Sequence, residues 1–326
     1  VLYGRPRLYT NYDSCWAGGA DLSLSLGDMF GMQQGSIFIE GSYANRIENL
    51  GGIASENLLN MCSARLNLDI AGFTLRGEYA GKGKDYSANR HKGQAIYGEV
   101  GYANGGFSFA AMGRVLDRMG TTLSATAAGT GNSLNYLPAL TRQYTYMLAN
   151  LNPYQVNIDG EIGGQADFYY TYRSSSNRYR YWNMHVNYST FYTLHASQTE
   201  RGKNERLWQD FNFDVERQWN KQLKTTFLYS FQRWDEEINH YDAAHSHYCR
   251  SHIFVGDVTY KINKKHSMRF ELQYLASNDY EGDWVAATIE YNLAPKFSFY
   301  VSDMWNCEKM QDGAYGNYFM NVNTYE

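Results

Sequence analysis

The sequence contains no run of about 18 apolar residues, which excludes a membrane-spanning helix. It has only 4 prolines among 326 residues, and its mean hydropathy of −0.56 is polar. It also lacks an excess of charge: 29 basic and 33 acidic residues give a net charge of −4, and the basic residues are scattered. A polyanion-binding surface is therefore not indicated, and we expect no nucleic-acid partner.

Signatures of catalysis and of metal binding are also missing. No Gly-x-Ser-x-Gly motif or comparable pattern occurs, so we predict no catalytic residues, no cofactor and no enzymatic activity. The four cysteines form no Cys-x-x-Cys pair, and the sequence does not assign a disulfide among Cys15, Cys249 and Cys307. Residues 239–252 are rich in histidine, but their spacing matches no standard zinc finger. We interpret this stretch as a solvated extracellular loop and predict no metal site.

Aromatic residues and alternating apolar residues are abundant. Tyrosine and glycine each occur 30 times, and aromatic residues make up 16% of the chain. In residues 62–70, Leu66 and Leu68 alternate with Arg65 and Asn67, and a second alternating stretch begins directly after Ala71-Gly72. Since successive side chains of a strand point to opposite faces, this predicts a hairpin with one apolar and one polar face. Arg65 should then face Glu78, and Asn67 should face Arg76.

The same pattern recurs along the whole chain and predicts about 16 strands. These lie near 20–26, 36–44, 62–70, 73–80, 95–103, 107–114, 144–150, 165–173, 180–189, 208–218, 223–234, 252–262, 268–276, 284–293, 297–303 and 316–324. Short turns and long polar connections alternate, as in outer-membrane barrels. We therefore predict an all-β, antiparallel transmembrane β-barrel, a single domain over residues 1–326, with about 16–20 strands in the intact protein. A soluble sandwich or propeller is the alternative, because alternation alone does not say which face is inward.

One segment breaks the alternation of short and long connections. Between about 115 and 207 the number of predicted strands has the wrong parity: it differs by one from the number that would keep all long connections on one side of the sheet. Residues 115–143 therefore either hide a strand, lie on the short-turn side or enter the lumen. Its second part is apolar, which is unusual for a solvated loop. We predict that this part forms a plug in the barrel mouth or a docking surface, through Leu134, Tyr136, Leu137 and Leu140.

The charged residues on the predicted polar faces are candidates for lining the lumen. They could set the charge preference of a pore, or they could pair across strands and fill a wet interior. They are Arg65, Asp69, Arg76, Glu78, Glu99, Arg114, Asp167, Asp214, Glu216, Asp257, Arg269, Glu271 and Glu290.

Three segments carry a resemblance to a known family. They are Asn135-Tyr-Leu-Pro-Ala-Leu-Thr-Arg-Gln-Tyr-Thr-Tyr146, Asn152-Pro-Tyr154 and Gly160-Glu-Ile-Gly-Gly-Gln165. Together they resemble an uncharacterised family of Bacteroidota outer-membrane proteins, catalogued as a domain of unknown function. Leu2-Tyr-Gly-Arg5 is similar to a strand end that lies well inside family members, which implies further strands before residue 1 and after residue 326. The resemblance implies no activity.

These observations predict a protein of the Gram-negative outer membrane with two candidate functions. The first is a channel or transporter for small polar solutes, because barrels of about 16 strands leave a lumen. The second is a structural or accessory subunit with a plugged lumen, embedded in a larger complex. Expected partners are outer-membrane lipid and lipopolysaccharide and, for the second function, other outer-membrane proteins or lipoproteins.

Overall fold

A computed structural model gives the architecture of the chain. It describes residues 1–7, 11–48, 58–85, 91–122, 139–177, 179–195, 204–235, 248–279, 282–307 and 321–325. Within these ranges, sixteen strands form one antiparallel sheet, and their order in the sheet is their order in the chain. The prediction of an all-β antiparallel fold is confirmed.

The strands are mostly 10–14 residues long. Their bounds are β1 (Leu2–Gly4), β2 (Trp16–Ser25), β3 (Ser36–Ile47), β4 (Leu58–Ile70), β5 (Phe73–Lys82), β6 (Gly93–Asn104), β7 (Phe107–Asp117), β8 (Gly160–Arg173), β9 (Tyr181–Thr193), β10 (Arg206–Gln218), β11 (Leu223–Trp234), β12 (Cys249–Lys261), β13 (His266–Ser277), β14 (Trp284–Leu293), β15 (Phe297–Asn306) and β16 (Asn321–Tyr325). A four-residue helix α1 (Leu26–Met29) and a 3₁₀ helix (Leu148–Asn150) accompany them.

The hairpin of β4 and β5 shows why the sequence folds in this register. Ala71 and Gly72 both have positive φ, 52° and 84°, as the tight two-residue turn requires. A Cβ at Gly72 would lie 2.5 Å from the carbonyl oxygen of Ala103, so only glycine fits there. The turn sets Arg65 opposite Glu78 and Asn67 opposite Arg76, which confirms the predicted pairing.

Short and long connections alternate along most of the sheet. The short ones are 71–72, 105–106, 174–180, 219–222, 262–265 and 294–296, and the strands between them are joined at the other end by longer connections. Two connections depart from this pattern: 26–35, on the short-turn side, is as long as 48–57 and 83–92, and 278–283, on the other side, is short. One wrongly predicted strand explains the earlier mismatch of parity. Residues 144–150 are not a strand, because they leave the sheet and contain the 3₁₀ helix, while β1 is a strand that the sequence pattern did not reveal. Residues 118–159 are the sequence that connects the consecutive strands β7 and β8.

The two edges of the sheet are β1 and β16. Each is hydrogen-bonded to one neighbour, β2 and β15 respectively, and no ladder joins them to each other in the residues that the structure describes. The sheet is thus open, whereas the predicted barrel requires a closed one. None of the helices in these described ranges is long and apolar enough to span a membrane.

The register gives the sheet two chemically different faces. On β13, Phe270, Leu272 and Tyr274 lie on one face, and all three are exposed, with Leu272 at 60%. Glu271 and Gln273, which alternate with them, lie on the other face and are buried. We call these the apolar face and the polar face. The large exposed side chains of the sheet are concentrated on the apolar face.

Candidate functional site: a polar sheet face covered by residues 139–158

Part of the β7–β8 connection lies on the polar face. We call residues 139–158 the covering segment. Two hydrogen bonds join the backbone of its 3₁₀ helix to glutamine side chains of the sheet. Leu148 N donates to Gln273 Oε1 at 2.9 Å, and Gln232 Nε2 donates to Ala149 O at 2.8 Å. Both glutamines are 1% exposed, so these bonds satisfy amide groups that burial would otherwise leave unpaired.

Three tyrosines of the covering segment lie next to carboxylates of the sheet. Tyr144 donates to Asp210 Oδ2 at 2.7 Å, and Tyr154 donates to Glu161 Oε2 at 2.5 Å. Tyr146 approaches Asp257 Oδ2 at 3.5 Å, the limit of a hydrogen bond.

Burial, assisted by the adjacent carboxylates, raises the pKa of all three phenols, because the phenolate form would lose its hydration next to a negative charge. The phenols therefore remain protonated and act as donors to the carboxylates.

Two apolar clusters hold the segment against the sheet. In the first, Tyr146, Leu148 and Ala149 pack on side chains of four neighbouring strands, Leu228, Ile253, Val255, Leu275, Trp284 and Ala286. In the second, Tyr154 stacks on Phe191 with ring centroids 4.9 Å apart and packs beside Trp208 and Trp234. These clusters occupy the half of the polar face that is nearer the long connections.

The start of the same connection is tied to the sheet by buried charges. Arg46 forms an ion pair with Asp85 at 2.6 Å, and the two side chains are 1% and 0% exposed. Thr121 donates to the same carboxylate at 2.6 Å, and Arg46 also donates to the carbonyl oxygen of Thr122. A second buried pair, Arg114–Glu161 at 2.6 Å, shares its carboxylate with the Tyr154 hydroxyl.

A polar cavity of about 740 Å³ lies between the covering segment and the short-turn ends of β8–β13. Four cations line it, Arg142, Arg173, Lys224 and Arg269. Three of them pair with carboxylates: Arg142 with Asp214, Lys224 with Glu216 and Arg269 with Asp257. The last two pairs are 2.8 Å apart. The cavity is therefore strongly charged, and most of its charges are paired.

His185 lies at the centre of the cavity wall. Its Nε2 is 2.8 Å from Asp167 Oδ1, its Nδ1 is 3.1 Å from Asp214 Oδ1, and its ring stacks on Tyr169 at 4.0 Å. A carboxylate at each ring nitrogen is best satisfied by the doubly protonated imidazolium, which donates from both. His185 thus links two acidic strands across the wall.

The charged residues predicted from the sequence all lie on the polar face by register. Asp214, Glu216, Asp257 and Arg269 meet in the cavity wall, and Asp167 reaches it through His185. The others are distributed along the sheet: Arg65, Asp69, Arg76, Glu78, Glu99, Arg114, Glu271 and Glu290.

Several of these charges pair across strands. Arg76 pairs with Glu99 at 3.3 Å, and Arg269 pairs with Glu290 at 3.7 Å. Arg269 also pairs with Glu271 of its own strand. Arg65 forms its ion pairs with Asp21 and Glu40 on the β2 and β3 side, although Glu78 is its register partner in β5.

The predicted plug residues are only partly placed. Leu140 is partly buried and packs on the second apolar cluster, together with Ala139 and Val156. Leu134, Tyr136 and Leu137 lie outside the described residues, as do residues 239–247 of the histidine-rich stretch. Cys249 and His252, which were expected in a loop, belong to β12. Within the described ranges, no three His, Cys, Asp or Glu side chains are grouped to hold a metal ion.

Sequence reasoning missed the residues that fix the covering segment. Arg142, Tyr144 and Tyr146 were assigned to the long loop and to a strand, and Gln232 and Gln273 were not singled out. The wrong number of predicted strands between 115 and 207 indicated this error. With 144–150 outside the sheet, the number of strands agrees with long connections on one side, whereas a strand at 144–150 does not.

Together, the fold and the site define a large all-β protein built on one antiparallel sheet, with an exposed apolar face and a partly covered polar face. A family model described as "Family of unknown function (DUF6029)" matches residues 1–326, and the chain belongs to that family. A search of curated proteins finds no match.

Proposed function

We propose that the chain is an outer-membrane β-barrel protein in which the covering segment plugs the lumen, and that it transports small polar solutes when the segment moves. The exposed apolar face supports the membrane part of this proposal. Leu272, Ile289 and Ile96 are 60%, 51% and 50% exposed, and they belong to a sheet-wide apolar surface. A surface of this kind is costly in water but is the expected lipid-facing surface of a transmembrane barrel.

The alternation of short turns and long connections supports the same assignment, because outer-membrane barrels have short periplasmic turns and longer extracellular loops. The proposal includes closure of the sheet, either by β1 and β16 directly or through further strands. In the closed form the polar face would surround a lumen, with the covering segment near the extracellular side and the charged cavity near the periplasmic side.

The observation that carries the transport proposal is the juxtaposition of the covering segment and the cavity. A sheet of 16 strands is wide enough to leave a water-filled interior when closed. The 740 Å³ cavity has room for a small solute, and its paired charges offer both donors and acceptors. The covering segment is held by a limited number of hydrogen bonds and two apolar clusters, so its displacement would connect the cavity to the other side.

A second candidate function is a permanently closed structural or accessory subunit of a larger complex. Leu148 is completely buried and Ala149 is 1% exposed, which favours a fixed segment. In this case the long connections would serve as the docking surface for partner proteins.

Conductance in planar bilayers tests the proposal. The wild-type protein is compared with a variant in which residues 140–156 are replaced by a short Gly-Ser linker, and with a control carrying Tyr170→Phe and Tyr172→Phe on the apolar face. We expect low conductance for the wild type and the control, and a clear increase for the linker variant. A folded linker variant that remains silent would refute transport and leave the accessory function. Failure of the wild type to assemble in outer membranes as a heat-modifiable species would refute the barrel.

A further inference from the structure

Three arginines lie together on the apolar face, where charges are otherwise sparse. Arg206, Arg233 and Arg250 are at the long-connection ends of β10, β11 and β12. Arg233 and Arg250 are direct register partners, so two like charges face each other across one ladder. The charges of Arg206 and Arg250 both act on Arg233. Like charges in these positions destabilise a sheet unless an anion lies between them.

In the arginine cluster, defined as these three residues, two guanidinium groups lie over aromatic rings rather than beside acids. The guanidinium carbon of Arg206 lies 5.6 Å from the ring centroid of Tyr192, and that of Arg233 lies 4.7 Å from the ring centroid of Tyr248. None of the three forms an ion pair within the described part of the chain. Glu205 borders the cluster, but its carboxylate accepts from the Tyr248 hydroxyl at 3.0 Å. On the polar face, by contrast, Arg65, Arg114 and Arg269 each pair with a carboxylate.

Beyond Gln209 and His252, which border the cluster, the surface becomes apolar. Moving along the same strands away from the long connections, the apolar face presents Phe211, Phe231 and Phe254, with Phe211 and Phe254 37% and 41% exposed. A cationic patch that borders an exposed aromatic surface is complementary to an amphiphile with an anionic head and hydrocarbon chains. Guanidinium groups prefer phosphate among anionic heads, because their fork of donors matches two phosphate oxygens.

We propose that the arginine cluster binds the phosphate of a phosphorylated glycolipid of the outer leaflet, with the acyl chains lying along Phe211, Phe231 and Phe254. The inference rests on the proposed function, since that function places the long connections on the extracellular side, where lipopolysaccharide forms the leaflet. The cluster extends over three strands, about 10 Å, which suits a broad head group better than a single small phosphate.

Lipid binding to the refolded protein tests this site. The triple variant Arg206→Gln, Arg233→Gln, Arg250→Gln is compared with Lys221→Gln, Lys264→Gln, Lys265→Gln, which removes the same charge from exposed positions at the short-turn end. Each protein is folded in detergent, folding is checked by heat-modifiability, and binding of purified lipopolysaccharide is measured by native mass spectrometry. Parallel titrations use enzymatically dephosphorylated lipopolysaccharide, phosphatidylglycerol and inorganic phosphate.

We expect one tightly bound lipopolysaccharide on the wild type and the lysine control, and at least a tenfold loss of affinity in the arginine variant. Dephosphorylated lipopolysaccharide should bind at least tenfold more weakly than the intact form. Equal binding by the arginine variant and the wild type would overturn the site. Equal binding of phosphatidylglycerol would overturn the choice of a glycolipid, and saturation by inorganic phosphate at similar concentrations would overturn the role of the acyl chains. Each of these results can occur in a folded protein, so the barrel proposal would stand.

Discussion

The phenolic hydroxyl of Tyr144 lies 2.7 Å from Oδ2 of Asp210, and this hydrogen bond joins the β7–β8 connection to a strand 66 residues further along the chain. Asp210 also accepts from Ser189 and from Asn212, so its buried carboxylate is fully surrounded by donors. The arrangement explains how an acidic group can lie at 0% exposure beneath the covering segment.

Removal of the Tyr144 hydroxyl should loosen the covering segment. Tyr144→Phe leaves one lone pair of a buried carboxylate without its donor, which typically costs about 1–3 kcal/mol. We expect a lower thermal unfolding midpoint and faster trypsin cleavage after Arg142. The control is Tyr170→Phe, because Tyr170 lies on the apolar face and is 48% exposed. Identical cleavage rates in the two variants would show that the hydrogen bond does not hold the segment.

The opposite roles of the two faces can be tested with adjacent residues at the same depth. Leu66 lies on the apolar face and is 39% exposed, whereas Asn67 lies on the polar face and donates to Glu40 at 2.9 Å. Leu66→Arg should strongly reduce assembly in outer membranes, because an arginine facing lipid near the midplane costs about 2–4 kcal/mol. Asn67→Arg should be tolerated better, because an arginine on the lumen-facing side remains in water. The yield of heat-modifiable protein in outer-membrane fractions measures both, and equal yields would contradict the assignment of faces.

Removal of one partner of the Arg46–Asp85 ion pair should destabilise the protein more than removal of both partners. Asp85→Ala strands a buried guanidinium, and such losses cost about 3–5 kcal/mol. The double variant Arg46→Met, Asp85→Leu removes both charges and should recover much of this stability. Urea unfolding followed by tryptophan fluorescence gives the comparison. If the double variant is as unstable as Asp85→Ala, the packing around the pair, and not the stranded charge, is responsible.

The thiol of Cys15 should react slowly in the folded protein. Burial raises its pKa from the ordinary 9.0 to about 11, because the thiolate would lose its hydration. The positive charge of Arg46 lowers the pKa in part, and the negative charges of Glu48 and Asp13 raise it. At pH 8 the thiolate fraction should therefore be about 100-fold lower than in the unfolded chain. A variant that retains only Cys15 should accordingly be modified about 100-fold more slowly by an aromatic disulfide reagent when it is folded than when it is unfolded. Equal rates would show that the thiol is accessible and not perturbed.

The sequence predicted most of the sheet because side-chain alternation is a direct consequence of strand geometry. The β4–β5 hairpin, its two-residue turn and the pairing of Arg65 with Glu78 in register all followed from residues 62–80 alone. The short β1 carries too few residues for the pattern to be visible.

The covering segment was misassigned because Tyr144, Tyr146 and Leu148 alternate as a strand would. Their spacing has another cause, because all three side chains contact the polar face of the sheet. Their partners Asp210, Asp257 and Gln273 are 66, 111 and 125 residues away in the chain. Local pattern cannot supply contacts at such separations, because they depend on which strands the connection crosses.

The strand order of the sheet has a consequence for the sequence of events in folding. Because each strand pairs with its neighbours in the chain, the ladders can form one after another as the chain is delivered. The covering segment is the exception: it precedes β10, β11, β12 and β13, yet it needs all four for its final position. It comes early in the chain but reaches its final position late, because Tyr144 and Tyr146 find their carboxylates, Asp210 and Asp257, only after β10 and β12 have joined the sheet.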